Sequence, residues 1–187
     1  LFRSRRRPVK GRNQWRPARR LEGVLLADLE LGEYGRQMPY SLEAEQSVLG
    51  AVLIDPACFA LVMESLRADT FYRPQHRQIF EVMSTMFNLN KTMDFITILD
   101  AVKSEGIFDT DEDAKIYLTN LAQVVPSAAN VEAYCKIVRE KYYVRRLIEA
   151  SRGIIEMASD SQAESDVLLD SAEQSIFDIR QDRKSVV

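Results

Sequence analysis

The sequence predicts an all-α protein, built as a compact multi-helix head followed by a long helical hairpin. Every apolar run along the chain fits a period of about 3.6 residues better than strict alternation. Residues that favour helix ends stand between these runs. Two long periodic segments joined by a polar turn close the sequence and predict the hairpin. The content of 46% hydrophobic and 28% charged residues allows a sizeable core.

The net charge of -3 hides an uneven distribution of charge. Residues 1–25 hold nine Arg or Lys and one acid, Glu22, whereas the rest of the chain holds 16 basic and 27 acidic residues, a net charge of -11. An acidic body is poorly suited to neutralising phosphates. Nucleic-acid binding therefore has to be considered separately for the two parts of the chain.

Residues 1–37 are predicted to be a disordered, basic leader. Its first part, residues 1–25, is rich in Arg, lacks helical periodicity and contains the breakers Pro8, Gly11 and Pro17. One interpretation is a basic arm that binds nucleic acid.

A second interpretation, which we favour, is that residues 1–25 are not native protein. The sequence begins with Leu1, and Glu22-Gly23 is what a purine-rich ribosome-binding site would encode if it were translated in frame. Leu25 or Leu26 would then be a start site that is not ATG.

The head is expected over residues 38–130. Ser41 is the predicted cap of its first helix, and Asp55 caps the second, with Pro56 in the first helical position. Pro74 opens a third helix.

Two more helices complete the predicted head. Asp94 caps the fourth, which runs from 95 to 105 and ends at Gly106. The acidic stretch 109–113 begins the fifth, and 125–127, which includes a proline, breaks it.

The hairpin is expected over residues 131–181. Asn130 is the predicted cap of a helix that runs from 131 to about 158. A polar turn over 159–165 then leads into a final helix from about Asp166 to Arg180.

The first hairpin helix carries apolar residues on two stripes. A helix in a two-helix hairpin needs one apolar face, so a second face indicates packing on the head or on another subunit. We favour self-association over a hairpin folded wholly against its own head. One stripe consists of Val131, Tyr134, Val138 and Tyr142, and the other of Ile137, Val144, Ile148 and Ile155.

A search for catalytic motifs is negative. A phosphate-binding P-loop needs two glycines five residues apart, the second followed by Lys and Ser or Thr. The glycines stand at 11, 23, 32, 35, 50, 106 and 153, and no two have that spacing. A nucleotide site of this kind is therefore excluded, and no apolar run approaches the roughly 18 residues of a membrane span.

The remaining candidates for chemistry are read as structural residues. His76 is the single histidine and is expected to be a helix residue hydrogen-bonded to the head surface or core. Cys58 and Cys135 are expected to be reduced, buried thiols. Glu43 and Glu45 are interpreted as helix-start charges. We expect no catalytic residue, bound cofactor or metal in this chain.

Two tyrosines, Tyr142 and Tyr143, lie beside Lys141 and Arg145-Arg146. Such a cluster can form a platform on which nucleic-acid bases stack. We favour a solvated helix face with buried rings.

The segment MPYSLEAEQSVLG, residues 38–50, resembles the opening of the N-terminal domain of DnaB-type bacterial replicative helicases. Further matches to this family follow in order up to residue 181. They are Asp69–Tyr72 with His76-Arg77 and Ile79-Phe80, Asp94 with Ile96-Thr97, Tyr117-Leu118 with Leu121, Pro126–Asn130 with Tyr134, Arg145 or Arg146 with Leu147-Ile148, and Ala172-Glu173 with Ile176-Phe177.

This resemblance implies an intact protein with a RecA-like ATPase domain, which translocates 5′ to 3′ on single-stranded DNA as a hexameric ring. ATP, Mg and single-stranded DNA would belong to that motor, which is absent from this chain, and residues 182–187 would begin the linker to it. Whether this chain counts as an enzyme by itself therefore stays open.

The head and hairpin would pair into dimers and a trimer of dimers, and would dock the C-terminal domain of primase. A helicase loader is a further candidate partner. The location would be cytoplasmic, with no membrane contact. We expect self-association through Val138, Tyr142, Leu147, Ile148, Leu168, Ile176 and Phe177.

Two other functions stay open from the sequence. A stand-alone adaptor with this domain alone would regulate the replisome without catalysis. A nucleic-acid binder would act through residues 1–25.

Overall fold

The computed structural model describes residues 38–160 and 164–185, and it confirms the all-α class, since no strand occurs in these ranges. The predictions for the leader 1–37 lie outside the described residues. The same holds for 161–163 of the predicted turn and for 186–187.

Seven α-helices lie in the described ranges, and short 3-10 turns connect some of them. The helices are α1 (Leu42–Ile54), α2 (Phe59–Ser65), α3 (Pro74–Asn88), α4 (Phe95–Ser104), α5 (Asp111–Val124), α6 (Val131–Asp160) and α7 (Ser165–Ser185), and the 3-10 turns are Pro56–Cys58, Ala68–Thr70 and Ala128–Asn130.

The predicted caps of α1 and α4 are confirmed. The Ser41 hydroxyl accepts a hydrogen bond from the Ala44 amide at 3.3 Å. Asp94 and Thr97 form a reciprocal capping box, with bonds of 2.8 and 2.9 Å. These bonds satisfy amide groups that have no partner inside the helix.

Two predicted helix ends are wrong. Asn130 is not a cap, because it is the last residue of a 3-10 turn that runs directly into α6. The final helix does not end at Arg180 but continues to Ser185, into the segment predicted as linker. No Gly or Pro interrupts residues 180–185, and Asp182 forms an ion pair with Arg67 at 3.7 Å.

Helix α1 is the centre of the head. It contacts α3, α5 and α6. Nine of its 13 residues are buried, so it is enclosed on most of its circumference. Phe59, Phe71 and Phe80 pack beside it as a chain of rings, with centroids 5.5 and 5.1 Å apart. Full burial of one such side chain contributes roughly 1.5–3 kcal/mol.

Gly50 is the point of closest approach between α1 and α5. A Cβ atom at this position would lie 2.1 Å from the carbonyl oxygen of Leu121. The backbones of the two helices can meet here only because residue 50 has no side chain.

A substitution of Gly50 by Ala should therefore lower the free energy of unfolding by about 3 kcal/mol, because the obstructing atom belongs to a backbone. Gly153→Ala is the matched control, since no atom of the described residues lies within 4 Å of its added Cβ. That change should be neutral or stabilise by up to about 1 kcal/mol. Urea denaturation of both variants measures the difference, and equal midpoints would contradict the close contact.

The carboxylate of Glu45 is the polar centre of the head. Glu45 is 1% exposed and accepts hydrogen bonds from the amides of Tyr72 and Arg73, at 2.7 and 3.3 Å. The His76 Nδ1 atom lies 2.7 Å from the same carboxylate, and the Tyr117 hydroxyl lies 2.7 Å from His76 Nε2. The expectation that His76 is hydrogen-bonded at the head surface or in the core is confirmed. Glu45 lies in the first turn of α1 as expected, but it is also a buried acceptor, which the sequence did not show.

This network joins three helices. Glu45 belongs to α1, His76 to the first turn of α3, and Tyr117 to α5. The charge of Glu45 also faces the start of α3, where a carboxylate is favourable. Burial raises the pKa of Tyr117, so its hydroxyl remains protonated as a hydrogen-bonding group.

Glu45→Gln should destabilise the protein by about 3 kcal/mol, because the amide cannot accept hydrogen bonds on both of its polar atoms. Glu43→Gln is the control, since Glu43 lies in the same turn of α1 but is exposed. Thermal and chemical denaturation of the two variants should differ clearly. A Glu45→Gln protein as stable as the control would show that the buried network has no net stabilising role.

Arg145 fastens α6 to the head. Its side chain is buried and donates from Nη1 to the carbonyl of Pro39 at 2.9 Å and from Nη2 to that of Thr70 at 2.6 Å. The rings of Tyr72 and Tyr142 lie 5.5 and 5.9 Å from its guanidinium carbon. The predicted solvated face is therefore wrong at this position.

Tyr142 and Tyr143 are half-buried. Tyr142 donates a hydrogen bond to Asp69 at 3.0 Å. Burial, together with the charge of Asp69, raises the pKa of Tyr142 to about 12. The rings are therefore only partly buried, and Tyr142 serves to join α6 to the head.

Candidate assembly surface

The first half of α6 belongs to the core of the head. Val131, Cys135 and Val138 are 1–3% exposed and pack with the buried residues of α1 to α5. Tyr134 is partly buried against the same core. The first predicted stripe therefore packs on the head of its own chain.

Three of the four residues of the second stripe are exposed within the described part of the chain. Ile137, Val144 and Ile155 are 42–63% exposed. Leu147, one turn beyond Val144, is 48% exposed. Because these residues lie on a long helix away from the core, they form an apolar face that contacts solvent.

Helix α7 packs along α6 and adds to this face. Leu168, Ala172 and Ile179 recur on one side of α7 and are half-buried. Ile176 and Phe177 are more exposed, at 51% and 52%. The hairpin thus has an inner contact between its helices and exposed apolar side chains outside it.

A shallow groove of about 290 Å³ joins the exposed side chains of the two hairpin helices. We call it the hairpin groove. Glu140 of α6 and Arg183 of α7 form an ion pair at 3.8 Å beside it. An apolar floor with charged groups at the edge is the usual composition of a protein contact surface. The lining residues are Glu140, Tyr143, Val144, Leu147, Ile176, Ile179, Arg180 and Arg183.

The structure brings together two of the residues predicted for self-association, since Leu147 and Ile176 both line the hairpin groove. Phe177 is exposed nearby in sequence but does not line it. Ile148 and Leu168 are half-buried.

The other two predicted residues lie elsewhere. Val138 is in the core of the head, and Tyr142 is bound to Asp69 where the head meets the hairpin. Neither is part of the hairpin groove. Periodicity identified an apolar position at Val138 but did not show which element would cover it.

Sequence reasoning did not select Val144, Tyr143 and Ile179 for this surface. Val144 lies on the second predicted stripe, so comparing that stripe with the apolar residues of the final helix would have found Val144 and Ile179. Tyr143 had no such signal, because it had been assigned with its neighbour to a tyrosine pair.

The two cysteines are free in the structure. Burial raises the pKa of Cys135 to about 12 and that of Cys58 to about 11. Both thiols are therefore protonated near neutral pH and poor nucleophiles.

Over residues 38–160 and 164–185, no group of three or more His, Cys, Asp or Glu side chains is arranged to hold a metal ion. Of the helices described, none alone has the length and apolar character to cross a membrane. Residues Leu42–Ile54 and Pro56–Ser65 satisfy these criteria together, but the chain bends by 119° between them.

Comparison with known proteins shows which family has this architecture. The model of the DnaB-like helicase N terminal domain matches residues 37–140. The chain is 39% identical over 148 residues to the replicative DNA helicase DnaB of Geobacillus stearothermophilus. It is 35% identical over 146 residues to the replicative DNA helicase DnaC of Bacillus subtilis. These alignments cover 79% and 78% of this chain and 32% of each relative, so the chain spans about a third of their length.

Two solved structures are also similar. The N-terminal domain of DnaB helicase from Mycobacterium tuberculosis superposes with a TM-score of 0.70 at 33% identity, over 76% of this chain and 99% of that one. A DnaB-like replicative helicase, described with its interactions with primase, gives 0.60 at 24% identity, over 74% of this chain and 31% of its own, and supports the fold alone. Since the family model covers more than half of the sequence, the chain belongs to the family of DnaB-like helicase N-terminal domains.

Proposed function

We propose that this chain is the assembly and primase-docking domain of a replicative DNA helicase, which when intact unwinds duplex DNA 5′ to 3′ with ATP during DNA replication. The observation that carries this proposal is the hairpin groove, an exposed apolar surface made by both hairpin helices in a domain of this family.

A second copy of the chain is the occupant proposed for this surface. Val144, Leu147 and Ile176 are each 45–51% exposed, although side chains of this kind favour burial. A two-fold axis along the hairpin would place each apolar stripe on its counterpart, as in a self-complementary dimer interface. Three such dimers would form the collar of a hexamer.

Docking of primase is supported by charge as well as by the family. The residues after 25 carry a net charge of -11, which disfavours contact with nucleic acid and leaves protein contacts as the better use of this surface. The similar helicase whose structure is described with its primase interactions has the same fold. Display of several heads on one ring would raise the effective concentration of a weak partner.

The motor functions are assigned to the part of the relatives that this chain does not span. ATP, Mg and single-stranded DNA would bind there, in the cytoplasm. This chain itself would act through assembly and docking.

Paired substitutions in the hairpin groove test the assembly. The double variant Leu147→Asp, Ile176→Asp should shift the protein to monomers, because two charges would be buried at each side of the interface. Sedimentation velocity across a range of concentrations measures this shift. Ile96→Asp is the control, since Ile96 is 69% exposed on α4 of the head and lies outside the groove.

The control should assemble like the unmodified chain. A native chain that stays monomeric at high concentration would contradict the proposal. A double variant that assembles as well as the control would contradict the choice of surface.

Docking can be tested with the C-terminal domain of primase as an immobilised partner. The unmodified chain should dissociate at least ten times more slowly than the monomeric double variant, because several heads bind at once. When the primase domain is in solution, each head binds it independently. The unmodified chain and the double variant should then have the same affinity per head. No binding of the unmodified chain would exclude the docking role.

A further inference from the structure

We propose that a cleft between the head and the hairpin is a binding site for a small oxyanion of the phosphate class. This arginine cleft has a volume of about 180 Å³. It is lined by Asp69, Arg77, Tyr142, Arg145, Arg146 and Glu149.

Two guanidinium groups are held beside each other in the arginine cleft. Arg145 donates to the carbonyl of Thr70 at 2.6 Å, and Arg77 donates from Nε to the next carbonyl, that of Phe71, at 2.6 Å. Both groups keep their charge at any ordinary pH. The backbone thus fixes two positive charges close together, where they repel each other.

The repulsion is visible in the electrostatics of the buried arginine. Burial is the largest cause that lowers the pKa of Arg145, and the charge of Arg77 lowers it further. Glu45 opposes this effect from the core, but its carboxylate already accepts the bonds of two amides and His76. A second negative charge on the open side of Arg145 would stabilise it.

The two carboxylates of the cleft have other direct partners, although the charge of Glu149 also favours the charged form of Arg145. Glu149 pairs with Arg146 at 3.8 Å, and Asp69 accepts the hydrogen bond of the Tyr142 hydroxyl. Within the described ranges, Arg77 and Arg145 form no ion pair with a carboxylate. Three arginines against two carboxylates leave the cleft with a net positive charge, on a body that is acidic elsewhere.

This arrangement fits a phosphate group better than a protein carboxylate. Guanidinium groups bind phosphate through pairs of N–H donors, and a dianion can neutralise both fixed charges at once. The side chain of Arg77 is exposed, and its terminal nitrogens form no hydrogen bond within the described chain, so they are free to bind. Inorganic phosphate and a phosphomonoester share this chemistry.

A bound anion would link α3, which carries Arg77, to α6, which carries Arg145 and Arg146. It would therefore stabilise the attachment of the hairpin to the head. Any ligand that binds only the folded protein stabilises it, by an amount that grows logarithmically with the ratio of ligand concentration to Kd. Phosphate binding should thus raise the unfolding temperature and also give a heat signal in a calorimetric titration.

The test uses the full chain, with inorganic phosphate, adenosine monophosphate and sodium chloride compared at equal ionic strength. Calorimetric titration and thermal unfolding are measured for the unmodified chain, Arg77→Gln and Arg152→Gln. Arg152 is the control, since it is an exposed arginine of α6 that does not line the cleft. Phosphate should stabilise the unmodified chain and the control, and Arg77→Gln should bind at least tenfold more weakly.

If circular dichroism shows that Arg77→Gln does not fold, Arg146→Gln is the second variant. Arg146→Gln should also weaken phosphate binding. The adenosine monophosphate arm separates the sources: equal binding assigns the site to phosphomonoesters, and weaker binding to free phosphate. Stabilisation by phosphate no greater than by chloride, or equal in both cleft variants and the control, overturns the proposal. Binding of a single-stranded oligonucleotide through Arg77 without phosphate binding also overturns it.

Discussion

The buried carboxylate of Glu45 is the constraint on which the head depends. An ionised group cannot be placed in an apolar core unless its oxygens are occupied by donors. Here the donors come from the turn before α3 and from His76, so α3 has to enter at one place and in one orientation. The apolar side chains around α1 can be buried by several packing arrangements. The hydrogen bonds of Glu45 favour one of these arrangements over the others.

Helix α6 packs on the head with its first turns and extends past the head with the remainder. The first turns of α6 complete the core, and Arg145 then fixes the helix to carbonyl groups of the head. Beyond that point Leu147, Ile155 and Met157 are exposed in the described chain, as are several apolar side chains of α7. The segment that stabilises the single chain and the segment proposed for association between chains therefore follow each other along one helix, with Arg145 near the boundary.

Local signals were enough to predict most helices, because Ser41, Asp94 and Pro74 act on neighbouring residues in the sequence. The all-α fold class, the order of the helices and the existence of the hairpin followed from these end signals and from the helical spacing of apolar residues. The roles of Glu45 and Arg145 did not follow, since their partners lie 27 to 106 residues away. Contacts between residues distant in sequence also decide which apolar residues stay exposed. Leu147 and Val138 look alike in a helical pattern, and only the packing of the head shows that Val138 is covered.

The bond from Arg145 to the carbonyl of Pro39 joins residues that are 106 positions apart. Closing so long a loop has an entropic cost that is met only when the intervening helices are already in place. The contact between residues 38–40 and the base of the hairpin should therefore form late in folding and open early in unfolding. Amide hydrogen exchange would then be faster around residues 38–40 than within α1, although the two are adjacent in sequence.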